Sequence, residues 1–238
     1  MNLSMKARLI LIHILLLLIT SGVAFCQTEP SLPGELYAPD LYPDISTYFN
    51  NYWLEGDILL SDGNIKRAGG IKYNGLLDEL LWLEPLSNQI IKLDKEAILQ
   101  FHFLNLQGDT SIYFRKLKVK RAGLNDSIEI FAQELVRGDL SLYVLHSFYL
   151  ARKVAVRQNN SYILKDIYEE EPVYYISYLN NKVVGYKTIS RKSIYAIAPD
   201  KKDKIREYLS KSNSGTIKTI PEMISLIQFI NSVTGQTN

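Results

Sequence analysis

Val173-Tyr174-Tyr175-Ile176-Ser177-Tyr178-Leu179-Asn180-Asn181-Lys182-Val183-Val184-Gly185-Tyr186 is two apolar runs parted by a pair of asparagines. Asparagine tolerates the left-handed backbone that a tight turn demands, so Val173 to Ile189 reads as a β-hairpin about Asn180-Asn181. Strand alternation sets Tyr174, Ile176 and Tyr178 on one face and Val173, Tyr175 and Leu179 on the other. Both faces are apolar or aromatic, the mark of a central strand or of one whose second face meets a helix.

Similar signals recur upstream. Tyr52 to Leu60 leads into Asp62-Gly63, a dipeptide that suits a type I′ hairpin turn. The next strand begins at Asn64 to Lys66 and reaches Gly69-Gly70, a bulge or sharp bend, before Ile71-Lys72-Tyr73. Glu79 to Leu83, Gln89 to Leu93, Ile98 to Leu104, Ser111 to Val119, Leu140 to Leu150, Lys153 to Arg157 and Tyr162 to Tyr168 continue the series. Ile128, Phe131, Ala132, Leu135 and Val136 fit helical spacing, with Gly138 placed to end a helix. The strands on either side favour a strand here as well.

Helical signals gather at the end of the chain. Asp200 is placed to cap a helix from Lys201 to about Lys211 that turns Ile205, Tyr208 and Leu209 to one side. Thr219 and Glu222 form a capping box for a second helix, to about Val233, which presents Met223, Ile227 and Ile230. The fold class expected is α+β, predominantly antiparallel β, with two C-terminal helices packed on the sheet.

The chain opens with Lys6 and Arg8, then the apolar run Leu9 to Ile19, then Ser21, Gly22 and Ala24. That run is about 11 residues, roughly half of what a helix needs to cross the hydrocarbon core. It reads as a removable export signal over residues 1–26, cleaved after Ala24 or after Cys26. Cys26 is the only cysteine. The bulk of Phe25 before it argues against a lipoprotein, and no disulfide or thiolate site is open to the mature body. Pro30, Pro33, Pro39 and Pro43 make residues 27–48 an extended lead-in. Residues 49–238 read as one β-rich domain.

Without the leader's two cations, the 27 basic residues of the chain fall to 25, equal to its 25 acidic ones. A neutral body lacks the electrostatic footprint of a nucleic-acid binder. No second apolar stretch is long enough to cross a membrane as a helix.

Catalytic motifs are few. His102 and His146 lie within apolar strand runs and lack metal-ligand spacing. Neither a Gly-x-Ser-x-Gly elbow nor a phosphate-cradling glycine loop occurs. Glu169-Glu170-Glu171 reads as a solvated turn, since consecutive glutamates do not converge, and Asp57, Asp62 and Asp78 read as turn and surface residues. Arg137-Gly138-Asp139 matches an adhesive tripeptide but stands where a turn is expected. Asn125-Asp126-Ser127 and Asn159-Asn160-Ser161 match the glycosylation sequon. Ten of the 16 tyrosines fall between Tyr143 and Tyr208, a density that strand propensity accounts for. Lys116, Lys118 and Lys120 share one strand face, a cationic stripe that suits an anionic ligand or the protection of an edge strand. These residues name no catalytic group, metal or cofactor.

The order of leader, Trp53-x-x-Gly56, Asp62-Gly63, Tyr73-Asn74 and, after the strands, Arg191-Lys192-Ser193 before the helices resembles a group of exported β-rich proteins of Bacteroidetes with no assigned function. The resemblance implies an envelope or secreted location and brings no catalytic residue with it. Three functions are therefore open. The first expected is a non-catalytic envelope or secreted protein that binds another protein or a surface glycan. A hydrolase of envelope polymers would show a cleft with facing carboxylates, or a carboxylate beside His102 or His146. A carrier of an apolar ligand would need a curved sheet around an apolar cavity.

Overall fold

The computed structural model describes residues 32–38, 47–104, 111–120, 126–159, 161–179, 182–186, 190–211 and 219–234. Pro33–Asn238 is one compact unit. Eleven of its strands form one antiparallel sheet. In spatial order they are β1 (Gly34–Leu36), β5 (Ile90–Leu93), β4 (Glu79–Leu83), β3 (Ile65–Asn74), β2 (Leu54–Leu60) and β6 (Ile98–Phe103). The order continues through β7 (Ile112–Lys120), β8 (Ser127–Val136), β9 (Leu140–Leu145), β12 (Val173–Tyr178) and β13 (Lys182–Tyr186). The remaining two, β10 (Phe148–Gln158) and β11 (Ser161–Glu170), pair only with each other among the described strands. Three helices follow: α1 (Arg191–Ile197), α2 (Lys202–Lys211) and α3 (Ile220–Thr234). The architecture is α+β and mostly antiparallel β, with the helices packed on the sheet.

The ambiguous segment is strand β8, held between β7 and β9. Its helix-like spacing arises because Ile130, Phe131 and Ala132 are all buried, on alternating faces that are both covered.

One face of the sheet carries an aromatic core in the N-terminal half. Tyr73, Phe101, Phe103, Phe114 and Phe131 are fully buried there. Phe101 and Phe114 stack at 4.8 Å, and Phe49 meets Phe114 edge-on at 5.0 Å. The same face continues over β9 and β12, where Leu140, Leu142, Val144, Tyr174 and Ile176 meet Ile194, Ile205, Leu209, Met223, Ile227 and Ile230 of the three helices. On the opposite face Leu117, Val119, Ile130, Ala132 and Tyr143 form a smaller core, against which Tyr175 of β12 and Val183 of β13 pack. The two apolar faces of Val173–Tyr178 are thus both used, one by helices and one by this second core.

Several boundaries differ from the sequence reading. The Asp62-Gly63 turn is not type I′, which needs positive φ at two positions: only Gly63 has it, at 86°. Leu60 and Asn64 close a three-residue loop through Leu60 N–H to Asn64 O and Gly63 N–H to Leu60 O, with Asp62 accepting from Asn64 N–H. The Gly69-Gly70 bulge lies where the β2–β3 register slips between Leu54 and Gly56. At Gly56 a Cβ would stand 2.1 Å from the His102 carbonyl oxygen, so β2 and β6 approach too closely for any side chain.

The lead-in contains an edge strand, since Gly34–Leu36 pair with β5. Leu140 to Leu150 is not one strand: the chain leaves the sheet at His146-Ser147. Asp200 lies inside a 3₁₀ turn before α2 and does not cap it. The helix α1 lies N-terminal to the two expected, capped by a reciprocal Ser190–Ser193 box. Thr219 and Glu222 exchange the expected bonds, 3.2 and 3.3 Å, at the start of α3. Pro30, Pro39, Pro43, Asn125, Asn180, Asn181 and the leader lie outside the described residues.

Candidate functional site

The β10–β11 ribbon is the one long element that no sheet neighbour flanks among the described residues. It starts where β9 ends and is registered from Phe148↔Glu170 to Gln158↔Ser161, with one slip between Leu150 and Arg152. The slip separates a base from an outer part. Beyond it Lys153, Ala155, Arg157, Tyr162, Leu164 and Asp166 share one face, and Val154, Val156, Ile163 and Lys165 lie on the other.

Apolar side chains are exposed on both faces. Tyr162 is 75% exposed and Leu164 71%, on the first face, while Val154, Val156 and Ile163 are exposed on the second. A two-stranded ribbon is marginally stable without a surface to pack on, and such side chains in β-strands are placed to be covered. Charge divides along the ribbon. Arg152, Lys153, Arg157 and Lys165 lie in the outer part, against a single carboxylate, Asp166, which pairs with Lys153 at 3.2 Å. Glu169, Glu170 and Glu171 lie at the base.

The base is tied to the body. His146 places Nδ1 2.6 Å from Glu170 Oε1 and Nε2 2.8 Å from Gln133 Oε1, with its ring against Phe49 at 4.9 Å. Both ring nitrogens are occupied by side-chain oxygens, which suits an anchor better than a proton shuttle. Tyr149 donates to Glu169 at 2.9 Å, and holding that proton raises the phenol's pKa. Glu169 and Glu170 are thus strand residues engaged by Tyr149 and His146 and not members of a solvated turn, and Glu171 acts on the same phenol as Glu169.

His102 lies on the opposite side of β6 from the buried Phe101 and Phe103. The sheet register aligns Arg67, Asp57, His102 and Tyr113 in a row across β3, β2, β6 and β7. Asp57 stands 3.5 Å from Arg67 and 3.3 Å from His102, and the His102 ring lies on Tyr113 at 4.8 Å. Each histidine thus has a carboxylate beside it, one of the features expected of a hydrolase: Asp57 across the strands from His102, and Glu170 of the ribbon base beside His146, which lies between strands. Neither pair lines the cleft at the sheet edge.

That cleft, about 630 Å³, is bounded by β1, the β3–β4 turn and the segment from Lys92 to Glu96. Asp78, with φ of 54°, accepts from Tyr73 Oη at 2.7 Å and from Phe131 N–H at 3.1 Å and is ion-paired with Lys95. Lys95 also donates to Glu129 O at 2.6 Å. The network joins the β3–β4 turn to β8, and burial raises the Tyr73 phenol well above its usual range. Lys92 lies 2.6 Å from Glu35 and 3.8 Å from Glu79, whose carboxyl is pushed up by burial. The acids Asp78, Glu35 and Glu79 are each engaged by a lysine, and what they build is a seam in the wall of the cleft.

The lysine stripe is only partly accessible. Lys116 is 10% exposed, donates to the carbonyls of Lys95 and Glu96 and pairs with Glu129 at 3.3 Å. Lys118 and Lys120 are exposed. Their strand β7 is internal, between β6 and β8, so edge protection is not its purpose. Arg137-Gly138-Asp139 forms the exposed β8–β9 turn, where the Ser141 hydroxyl accepts from Gly138 N–H and donates to Gly138 O. Asn231 of α3 bonds both Leu140 N–H and Leu140 O at 2.9 Å beside it.

Among the described residues no group of three metal-ligating side chains is brought together, and no helix is long and apolar enough to cross a membrane. No family model, no curated protein and no solved structure matches the chain.

Proposed function

We propose that the protein is exported and works in the cell envelope or the medium as a non-catalytic binding protein, taking another protein or a surface glycan through the β10–β11 ribbon. The observation that carries this reading is the exposure of Tyr162, Leu164, Val154, Val156 and Ile163 on an element that no sheet neighbour flanks among the described residues. The anchoring of its base by His146 and Glu170 fits an arm presented by a rigid body. The export leader read from residues 1–26 supplies the location.

Cross-linking in intact host cells, followed by affinity capture and mass spectrometry, tests it when run on the parent and on Tyr162→Ser/Leu164→Ser together. A near-stoichiometric envelope component recovered with the parent and lost with the double variant is expected. Recovery of the same component with both chains, or of none with the parent, would overturn the assignment.

A further inference from the structure

We infer that the face of the outer ribbon carrying Val154, Val156 and Ile163 lies on an anionic lipid surface, so that the arm works from a membrane of the envelope. This rests on the ribbon as the contact element and adds a second contact to the one proposed for Tyr162 and Leu164.

A ribbon with apolar side chains exposed on both faces has two surfaces to cover, and one partner laid against it covers one of them. The two faces differ in charge. Tyr162 and Leu164 share theirs with Arg157 and with the ion pair of Lys153 and Asp166, so both signs are present, as on the polar rim of a protein contact. On the other face the register sets Val156 against Ile163, Val154 against Lys165 and Arg152 against Ile167. Val154, Val156 and Ile163 are 37, 40 and 45% exposed, with the exposed Arg152 and Lys165 beside them. This outer face carries no carboxylate. Glu169, the next acid along it on β11, lies at the base, where Tyr149 donates to it.

Arg152 and Lys165 are diagonal neighbours, roughly 7 to 8 Å apart at the backbone, a spacing at which like charges repel and an anion beside both is favoured. Branched aliphatic side chains among cations complement an apolar layer that lies behind negative head groups. The long stems of Arg and Lys rest on such a layer while their charged ends reach the phosphates. A free polysaccharide would meet the cations but leave the aliphatic groups in water. Arg157 and the exposed turn residue Asn159 lie beyond the apolar groups, so tip-first entry would bury them, and the ribbon lies along the surface instead. Two cations and three aliphatic side chains make a reversible contact that salt loosens.

Co-sedimentation of lipid vesicles with the protein purified from its host tests the inference. Phosphatidylcholine vesicles with about one third phosphatidylglycerol should carry down the parent, and pure phosphatidylcholine vesicles should not. Raising the salt from about 0.05 to about 0.5 M should weaken the binding roughly tenfold. Val156→Ser/Ile163→Ser and Arg152→Glu/Lys165→Glu should each weaken it by about tenfold or more, while Tyr162→Ser/Leu164→Ser, on the other face, should leave it within about twofold. Thermal unfolding of each variant checks that the fold is kept. A parent that ignores the anionic vesicles would overturn the proposal. So would binding that survives Val156→Ser/Ile163→Ser, which would mark a purely electrostatic site for a free polyanion, or binding lost equally with Tyr162→Ser/Leu164→Ser. A parent that ignores vesicles yet captures an envelope component through Tyr162 and Leu164 would sink the membrane contact alone. Vesicle binding with no component captured would sink the component and leave the membrane contact standing.

Discussion

Strands β9 and β12 and the ribbon β10–β11 are neighbours in sequence and both read as strands, yet they meet opposite fates: β9 and β12 carry no charged residue, while seven charged residues break the apolar runs of the ribbon. In β9 every residue from Leu140 to Val144 is buried, because the helices cover Leu140, Leu142 and Val144 while Tyr143 joins the second core. In β11 the run Ser161 to Lys165 is exposed throughout. Apolar alternation thus specifies a strand in both places but does not say what will cover it. The cover comes from elsewhere in the chain, and in this molecule α1 to α3 supply it to one pair only.

The contrast can be broken by removing the cover. Ile227 is fully buried beneath α3, and Ile227→Ala should cost about 2 to 5 kcal/mol of unfolding free energy in urea titration. A change near zero would mean that α3 rests on the sheet without stabilising it. A smaller loss, about 1 to 3 kcal/mol, is expected for Asn231→Ala, which leaves the Leu140 amide and carbonyl without their side-chain partner. If water replaces both bonds without loss, the link from helix to strand is only geometric.

Smaller still is the effect of Glu79→Gln, at the far edge of the sheet. Burial raises the Glu79 carboxyl in the folded state, so ionising it opposes folding, and the parent loses stability as the pH rises above the ordinary value of 4.5. The variant should therefore melt slightly higher than the parent at pH about 7, with the difference fading as the pH falls below that ordinary value. A lower melting point at neutral pH would show that the attraction to Lys92 outweighs burial.

Much of this fold is legible in the sequence because strands announce themselves by alternation and turn residues. Glu79 to Leu83 has the expected bounds, and Met223, Ile227 and Ile230 are buried on α3 as their spacing indicates. The helix Arg191–Ile197 is less legible, because seven residues give too few repeats of the apolar spacing and its Ser190–Ser193 cap lacks the usual glutamate. The Asp78 network is hidden for another reason. Tyr73, Asp78, Lys95 and Phe131 come together only when β3, β4 and β8 are in register, and Asp78 alone reads as a turn residue. Lys116 shows the same limit. Alternation assigns its face correctly, but the carbonyls of Lys95 and Glu96 that engage it come from a different segment. For the ribbon, Lys153 to Arg157 and Tyr162 to Tyr168 are visible as strands, while their lack of a neighbour is a property of the whole sheet order.

Hydrogen exchange on the isolated protein tests the contrast most directly. If the outer ribbon is an arm with no cover of its own, the amides of 152–157 and 162–167 should exchange by local opening, orders of magnitude faster than those of β9 and β12, which should exchange only through global unfolding. Equal protection in the two regions, on protein shown to be monomeric, would contradict this account, because the ribbon would then be stable without a partner.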